Sequence, residues 1–170
     1  SPDVVSLAKL HRGRGLASEK LGEFERARAD HEAILQITRA AGERNVEWRA
    51  LLDLGKLWAS RDYDQACAYF ERALELARRM DDPAVLAGSL NWMGNWHLNQ
   101  ENPQAAIEYH QEALGIFEQV GDGRNLATTL DLLGMANLQV ADMAASVARS
   151  RMPRPSTLAA TRADSMRWTQ

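Results

Sequence analysis

The sequence predicts an all-α fold in which antiparallel helix hairpins stack into a solenoid. Two series of small residues recur with a period near 40: the glycines Gly15, Gly55, Gly94 and Gly134, and the alanines Ala27, Ala66 and Ala106. The glycines are 40, 39 and 40 residues apart, and the alanines are 39 and 40 residues apart. No segment shows the period-two alternation of a half-buried strand. One helical unit is therefore used repeatedly.

Each unit contains two helical patterns, separated by turn signals such as Leu21-Gly22 and Glu101-Asn102-Pro103. In order, we expect helices near 4–20, 24–41, 45–60, 63–80, 84–100, 103–120 and 124–140. The distance from Gly55 to Ala66 is one residue shorter than the distance from Gly94 to Ala106. This difference predicts a tighter turn in repeat 2.

The small residues have a packing role, because a glycine in the first helix and an alanine in the second let the two helices approach closely. Larger side chains such as Phe70 surround that contact. The histidines fall on the same packing positions: His31 and His110 correspond to Phe70, His97 to Trp58, and His11 to Leu51. Packing therefore explains the histidines without a metal site.

The fourth repeat departs from the pattern. Its register places Pro153 in a second-helix interior, where proline costs about 3 kcal/mol or more, so that helix is expected to stop near Met152. We divide the chain into a repeat array over residues 1–152, with three full repeats and a partial fourth, and an irregular basic tail over 153–170. The tail is a capping helix, a disordered segment or a segment that is not native.

These units resemble tetratricopeptide (TPR) repeats. The resemblance rests on the Leu-Gly pair, the turn sequences "GEF", "RDY" and "ENP", the alanine, the aromatic position at Phe70 and the "RAL" and "EAL" pairs. It extends from about Ser6 to Ser150 and implies a right-handed superhelix. The period near 40, longer than the usual 34 of the family, resembles the extended repeats in sensor regions of large bacterial regulators and in kinesin light chains.

The resemblance also implies a binding surface, because the first helices of TPR hairpins line a concave groove. Carried over by register, the candidate peptide-binding residues are Lys9, Arg12, Arg49, Lys56, Asn91, Asn95, Asn99, Asp131 and Gln139. The stripe Asn91, Asn95 and Asn99 would form a ladder of amides, rising about 6 Å per step, that can pair with an extended peptide. The same register also places Lys20 and Glu19 in the groove, so repeats 1 and 2 carry five cationic groove residues beside one anionic residue. This balance favours an acidic ligand.

Composition limits the remaining function classes. No run approaches the length of about 18 apolar residues that a membrane span needs, and the N-terminus lacks a signal-peptide core, so we expect a cytoplasmic protein without a membrane partner. The net charge of −3 disfavours nucleic acid as a partner. The single cysteine, Cys67, excludes an internal disulfide and any multi-cysteine metal site. No catalytic, metal or cofactor motif is present, so we expect no enzyme activity and no cofactor.

The sequence thus predicts a non-enzymatic interaction module that binds a peptide, or a segment of its own parent chain, as part of a larger bacterial signalling or regulatory protein. The alternative is a scaffold that self-associates weakly through the exposed ends of the solenoid. Small-molecule sensing is less favoured, because the sequence pattern indicates no compact apolar pocket.

Overall fold

Seven helices account for most of residues 3–151, the part of the chain that a computed structural model of the protein describes. They are α1 (Val4–Lys20), α2 (Phe24–Ala41), α3 (Arg44–Trp58), α4 (Tyr63–Arg78), α5 (Pro83–Asn99), α6 (Pro103–Val120) and α7 (Gly123–Arg151). Each helix packs against the next one in the chain, and α1 also contacts α3 while α5 contacts α7. These residues contain no strand, and the all-α solenoid is confirmed. None of these helices is long and apolar enough to cross a membrane.

Local chemistry fixes the helix ends. Asp62 and Asp82 accept hydrogen bonds from backbone N–H groups of the first turns of α4 and α5, which satisfies donors that the helix itself leaves unpaired. Gly42 and Gly121 end α2 and α6 in the left-handed conformation, with φ of 73° and 71°. The turn signals in the sequence therefore located most boundaries to within two residues.

The contact inside each hairpin explains the repeated small residues. A Cβ atom on Gly55 would overlap the ring of Phe70, and one on Gly94 would overlap the ring of His110. In repeat 1, a Cβ on Gly15 would lie 3.0 Å from Cε1 of His31. The alanines of the second series, Ala27, Ala66 and Ala106, have no exposed surface. The predicted close approach of the paired helices is therefore confirmed.

The prediction of a tighter turn in repeat 2 is wrong. The connection between α3 and α4 spans residues 59–62, whereas the corresponding connections in repeats 1 and 3 span 21–23 and 100–102. The missing residue shortens the helix instead, since α3 has 15 residues and α1 and α5 each have 17. Helix α3 ends at Trp58, only three residues after Gly55.

Helix α7 also differs from the prediction, which ended it near residue 140. It runs without a break for 29 residues to Arg151, so there is no separate second helix of repeat 4 within the described residues. The segment from Gln139 to Ser150 contains no glycine or proline and is rich in alanine, which favours continuation of the helix. The tail 153–170 lies outside the described residues.

Candidate functional site

The first helices of the hairpins, α1, α3, α5 and α7, form one surface that we call the A-helix face. Side chains connect its neighbouring members. Nε1 of Trp48 on α3 donates a hydrogen bond to Oγ of Ser89 on α5 over 2.7 Å. Two recesses on this face contain most of the candidate residues, one between α1 and α3 and the other between α3 and α5.

The recess between α1 and α3, which we call the cationic recess, has a volume of about 400 Å³. Its lining combines apolar residues with three cations: Val5, Ala8, Lys9, Arg12, Gly13, Leu16, Ile34, Asn45, Val46, Arg49 and Ala50. The sequence pattern did not predict this apolar space, because Val5, Ile34 and Val46 come from three different helices. The recess can accept an apolar group that has an acidic group beside it.

Asp53, which the sequence interpretation missed, lies beside the cationic recess and is buried. Its Oδ2 accepts a hydrogen bond from Nε of Arg12 over 2.6 Å, and its Oδ1 lies 2.6 Å from Nζ of Lys56. Burial alone raises the pKa of Asp53, but the hydrogen bonds from Arg12 and Lys56 outweigh burial and hold the pKa below its usual value. Two of the predicted groove cations are therefore paired within the protein.

The second recess, which we call the aromatic recess, is smaller, with a volume of about 110 Å³. Its lining residues are Lys56, Ala59, Tyr63, Phe70, Trp92, Asn95, Trp96 and Asn99. The ring of Trp92 stacks on Phe70 with a centroid distance of 5.8 Å, and Nζ of Lys56 lies 5.2 Å from the centroid of Trp92. Nε1 of Trp96 donates to the carbonyl oxygen of Tyr63, which fixes the second indole. The recess therefore has rigid aromatic walls.

The asparagine stripe is divided by its hydrogen bonds. Oδ1 of Asn91 lies 3.0 Å from Nδ1 of His110, and Nδ2 of Asn91 donates to Oγ1 of Thr129 over 2.7 Å. Contrary to the expectation of a three-step ladder, the Asn91 amide is thus engaged within the protein. The side chains of Asn95 and Asn99 make no hydrogen bond to another described residue and line the aromatic recess. Two amides of the stripe are therefore available to a ligand.

The other predicted groove residues lie in different surroundings. Lys9 and Arg49 are exposed at the rim of the cationic recess and form no ion pair with another described residue. On α7, Asp131 is exposed, while Nε2 of Gln139 donates to the carbonyl oxygen of Leu98 over 3.4 Å. Gln139 thus links α7 to α5, and only part of the predicted set faces an open recess.

The histidines follow the predicted packing positions with one exception. His31 and His110 are buried, and His97 stacks on Tyr109 with a centroid distance of 5.2 Å. His11 is different, because its Nδ1 lies 2.8 Å from Oδ1 of Asp30 in a polar cluster. Hydrogen bonds from Arg14 and His11 hold the pKa of Asp30 at about 2.

Two further groups bear on possible chemistry. Burial, together with the neighbouring Glu71, raises the pKa of the Cys67 thiol to about 11, so the thiol stays protonated at neutral pH and is a poor nucleophile. Among residues 3–151, no group of three or more histidine, cysteine, aspartate or glutamate side chains is arranged to hold a metal ion.

Comparisons with known proteins agree with this architecture. Two sequence profiles, both described as tetratricopeptide repeat, match residues 50–84 and 85–151. The crystal structure of BtubC (BKLC) from P. vanneervenii is similar with a TM-score of 0.70 and 19% identity, covering 91% of this chain and 69% of that one. The N-terminal domain of stress-induced protein-1 (STI-1) from C. elegans has a TM-score of 0.57 and 16% identity, covering 78% and 98% of the two chains. No curated protein matches the sequence.

Proposed function

We propose that this chain, which belongs to the tetratricopeptide repeat family, is a non-enzymatic module that binds an extended acidic segment of another protein along its A-helix face. Repeats of this family generally mediate protein–protein interaction. The segment could equally come from the parent chain of this module, because the recognition chemistry would be the same. The proposal rests on the two recesses, which lie next to each other on this face.

The cationic recess is suited to a ligand segment in which an acidic residue stands next to an apolar one. Arg12 and Lys56 already share the carboxylate of Asp53, so Lys9 and Arg49 are the two candidate binding cations left for a ligand. Both lie at the rim of a space lined by Val5, Leu16 and other apolar side chains. An aliphatic side chain of the ligand would fill this space, while a neighbouring carboxylate would pair with Arg49 or Lys9.

The aromatic recess is suited to binding the extended backbone of a peptide ligand. Asn95 and Asn99 each offer an amide donor and an amide acceptor one helical turn apart, and the peptide backbone requires both. The indoles of Trp92 and Trp96 beside them would exclude water from these hydrogen bonds. Lys56 of the aromatic recess and Arg12 of the cationic recess both pair with Asp53, which links the two recesses. A single extended segment could therefore occupy both recesses.

The proposal can be tested by selecting ligands from a phage-displayed library of random linear peptides. We expect the selected sequences to contain Asp or Glu beside an aliphatic residue. The selected peptides are then synthesised and titrated against the wild-type protein, Arg49→Glu and a control, Arg78→Glu, which reverses an exposed charge on α4. Arg49→Glu is expected to slow association and to reduce the salt dependence of binding, because electrostatic steering is the part of the interaction that salt screens.

Arg78→Glu is expected to bind the selected peptides like the wild type. Enrichment of no sequence, or equal effects of the two charge reversals, would contradict the proposal.

We further propose that the module is part of a larger bacterial signalling or regulatory protein in the cytoplasm. The repeat period near 40 supports this context, because it resembles the extended repeats of such proteins. The parent gene provides the test. An adjoining ATPase, cyclase or DNA-binding domain is the expected result, and a gene that encodes the repeat array alone would contradict it.

A further inference from the structure

Helix α7 has an open face where the preceding first helices are covered. In repeats 1 to 3, a ring from the second helix lies against Gly15, Gly55 or Gly94, but no described residue lies within 4 Å of a Cβ built on Gly134. The large side chains one turn to either side, Leu130 and Leu138, are 52% and 68% exposed. The residues that correspond to Leu130 in repeats 2 and 3, Leu51 and Leu90, are buried, whereas no described residue covers the surface around Leu130.

This open face extends along most of α7. Its members follow each other at intervals of three or four residues, and all of them are exposed: Ala127, Leu130, Gly134, Leu138, Ala141, Ala145 and Ala148. From Ala127 to Ala148 the face is about 31 Å long. The other described helices have only 15 to 18 residues, or about 22 to 27 Å. Of the described helices, only α7 itself is long enough to cover the whole open face.

Two charged residues beside the open face favour pairing of α7 with itself. Asp131 and Arg149 lie 18 residues apart, which corresponds to about five helical turns, so they project from the same side of α7. A two-fold axis near Val140 would bring Asp131 of one copy opposite Arg149 of the other, and the reverse contact would form at the other end. Neither residue has an ion-pair partner within the described part of the chain.

We propose that α7 is a dimerisation helix, which pairs antiparallel with α7 of a second copy of this chain. Gly134, Ala141 and Ala145 allow the two helix axes to approach to about 8 Å, at the short end of helix packing distances. Leu130 and Leu138 are buried across the interface, which removes their apolar surface from water. The two Asp131–Arg149 contacts fix the register and the antiparallel direction.

The test uses sedimentation equilibrium of the full chain, between about 1 µM and about 1 mM, the range that detects association of moderate affinity. The average mass of the wild type is expected to rise from that of the monomer towards twice that value. Gly134→Glu is expected to raise the dimer dissociation constant at least about 100-fold, because each copy would bring an unpaired charge into the interface.

Gly115→Glu is the matched control for that variant. Gly115 is also a helical glycine with no described residue within 4 Å of its Cβ position, but it lies on α6 and is not part of the open face. Both substitutions improve helix propensity, so neither is expected to unfold the monomer. Circular dichroism melts check this for both variants. Equal effects of Gly134→Glu and Gly115→Glu on the dissociation constant would overturn the proposal.

Charge reversal tests the register independently. Asp131→Arg and Arg149→Asp are each expected to raise the dissociation constant about 3- to 30-fold, since two ion pairs are lost and like charges face each other. The double variant Asp131→Arg/Arg149→Asp restores both contacts and is expected to return to within about threefold of the wild type. Failure of the double variant to recover would overturn the antiparallel register.

A wild type that remains monomeric over the whole range would also overturn the proposal.

Discussion

His31 and His110 occupy the same position in repeats 1 and 3, but different neighbours hold them. Nε2 of His31 lies 2.6 Å from Oε1 of Glu19, and its Nδ1 has no hydrogen-bond partner among the described residues. In repeat 3 the arrangement is reversed, because Nδ1 of His110 bonds Asn91 and its Nε2 has no such partner. The same ring in the same position therefore uses opposite nitrogens.

Two positions on the first helix explain the difference. Register places Leu98 where repeat 1 has Glu19, and Arg12 where repeat 3 has Asn91. Leu98 cannot bond the His110 ring, and Arg12 turns away to Asp53. Repeat register thus determines where the ring lies, while these two neighbours determine its electrostatic environment. It follows that Asn91 supports His110 rather than a ligand.

The largest effect is expected from Asp53→Ala, which leaves Arg12 and Lys56 without their shared carboxylate. We expect the free energy of unfolding to fall by about 2 to 4 kcal/mol. This is slightly less than the usual cost of breaking a buried ion pair, because Arg12 and Lys56 are partly exposed and water can solvate them. Asn91→Ala, which removes the corresponding neutral link in repeat 3, is expected to cost only about 1 kcal/mol. Urea denaturation measures both, and equal losses would contradict the contrast between the two links.

The second prediction concerns pH. Burial lowers the pKa of His110 to about 4, from the ordinary value of 6.5. Because the unfolded state binds the proton more tightly, stability that is fully present above pH 6.5 is lost as the pH falls towards 4, by about 2 to 3 kcal/mol. His110→Phe, which introduces the residue that repeat 2 has at Phe70, is expected to reduce this loss. Denaturation of the wild type and of His110→Phe at pH 7 and pH 4.5 measures this loss of stability. A loss of the same size in both proteins would show that protonation of His110 is not its cause.

The third prediction separates Asn95 from Asn91. Asn95→Ala is expected to weaken binding of a selected peptide by about 1 to 2 kcal/mol, since a peptide group in the aromatic recess would lose its partner. Its effect on stability is expected to be small, because the Asn95 side chain bonds no other described residue. Asn91→Ala is expected to lower stability instead. Calorimetric titration and a urea melt on each variant test this, and the reverse pattern would contradict the division of the stripe.

The smallest effect is expected at Glu101, in the connection between α5 and α6. Glu101 adopts a left-handed conformation with φ of 56°, where repeat 1 has Gly22 with φ of 75°. Glu101→Gly is expected to raise the free energy of unfolding by about 0.5 kcal/mol, because relief of the Cβ clash exceeds the added freedom of the unfolded chain. Gly22→Ala is expected to have the opposite sign. Thermal melts measure both, and a loss of stability in Glu101→Gly would contradict this explanation.

The fold was predictable because its determinants are periodic. The motif glycines, the alanines and the turn residues all recur near every 40 residues, and they located the hairpins. The start of α7 was predicted but its end was not, because its length depends on a lack of turn signals after Leu138, and the register alone suggested a turn there.

The site was less predictable, because its polar side chains are directed by partners distant in sequence. Asn91 bonds His110, 19 residues away, and Arg12 bonds Asp53, 41 residues away. Periodicity places such residues on a face but does not identify their partners. One signal was available: Asp53 interrupts the apolar run "ALLDLG", and a carboxylate in such a position is buried only when it is paired.

Because each helix contacts chiefly its neighbours in the chain, the stability of the solenoid depends on a series of local interfaces. In the monomer, opening then begins at an end, and α7, whose open face is covered by no described residue, is held less strongly than the helices between α2 and α6. Its backbone amides are expected to exchange with deuterium first, and those of α3 and α5 last. The same locality shortens the sequence separation of contacts, so the array is expected to fold rapidly from its centre outwards.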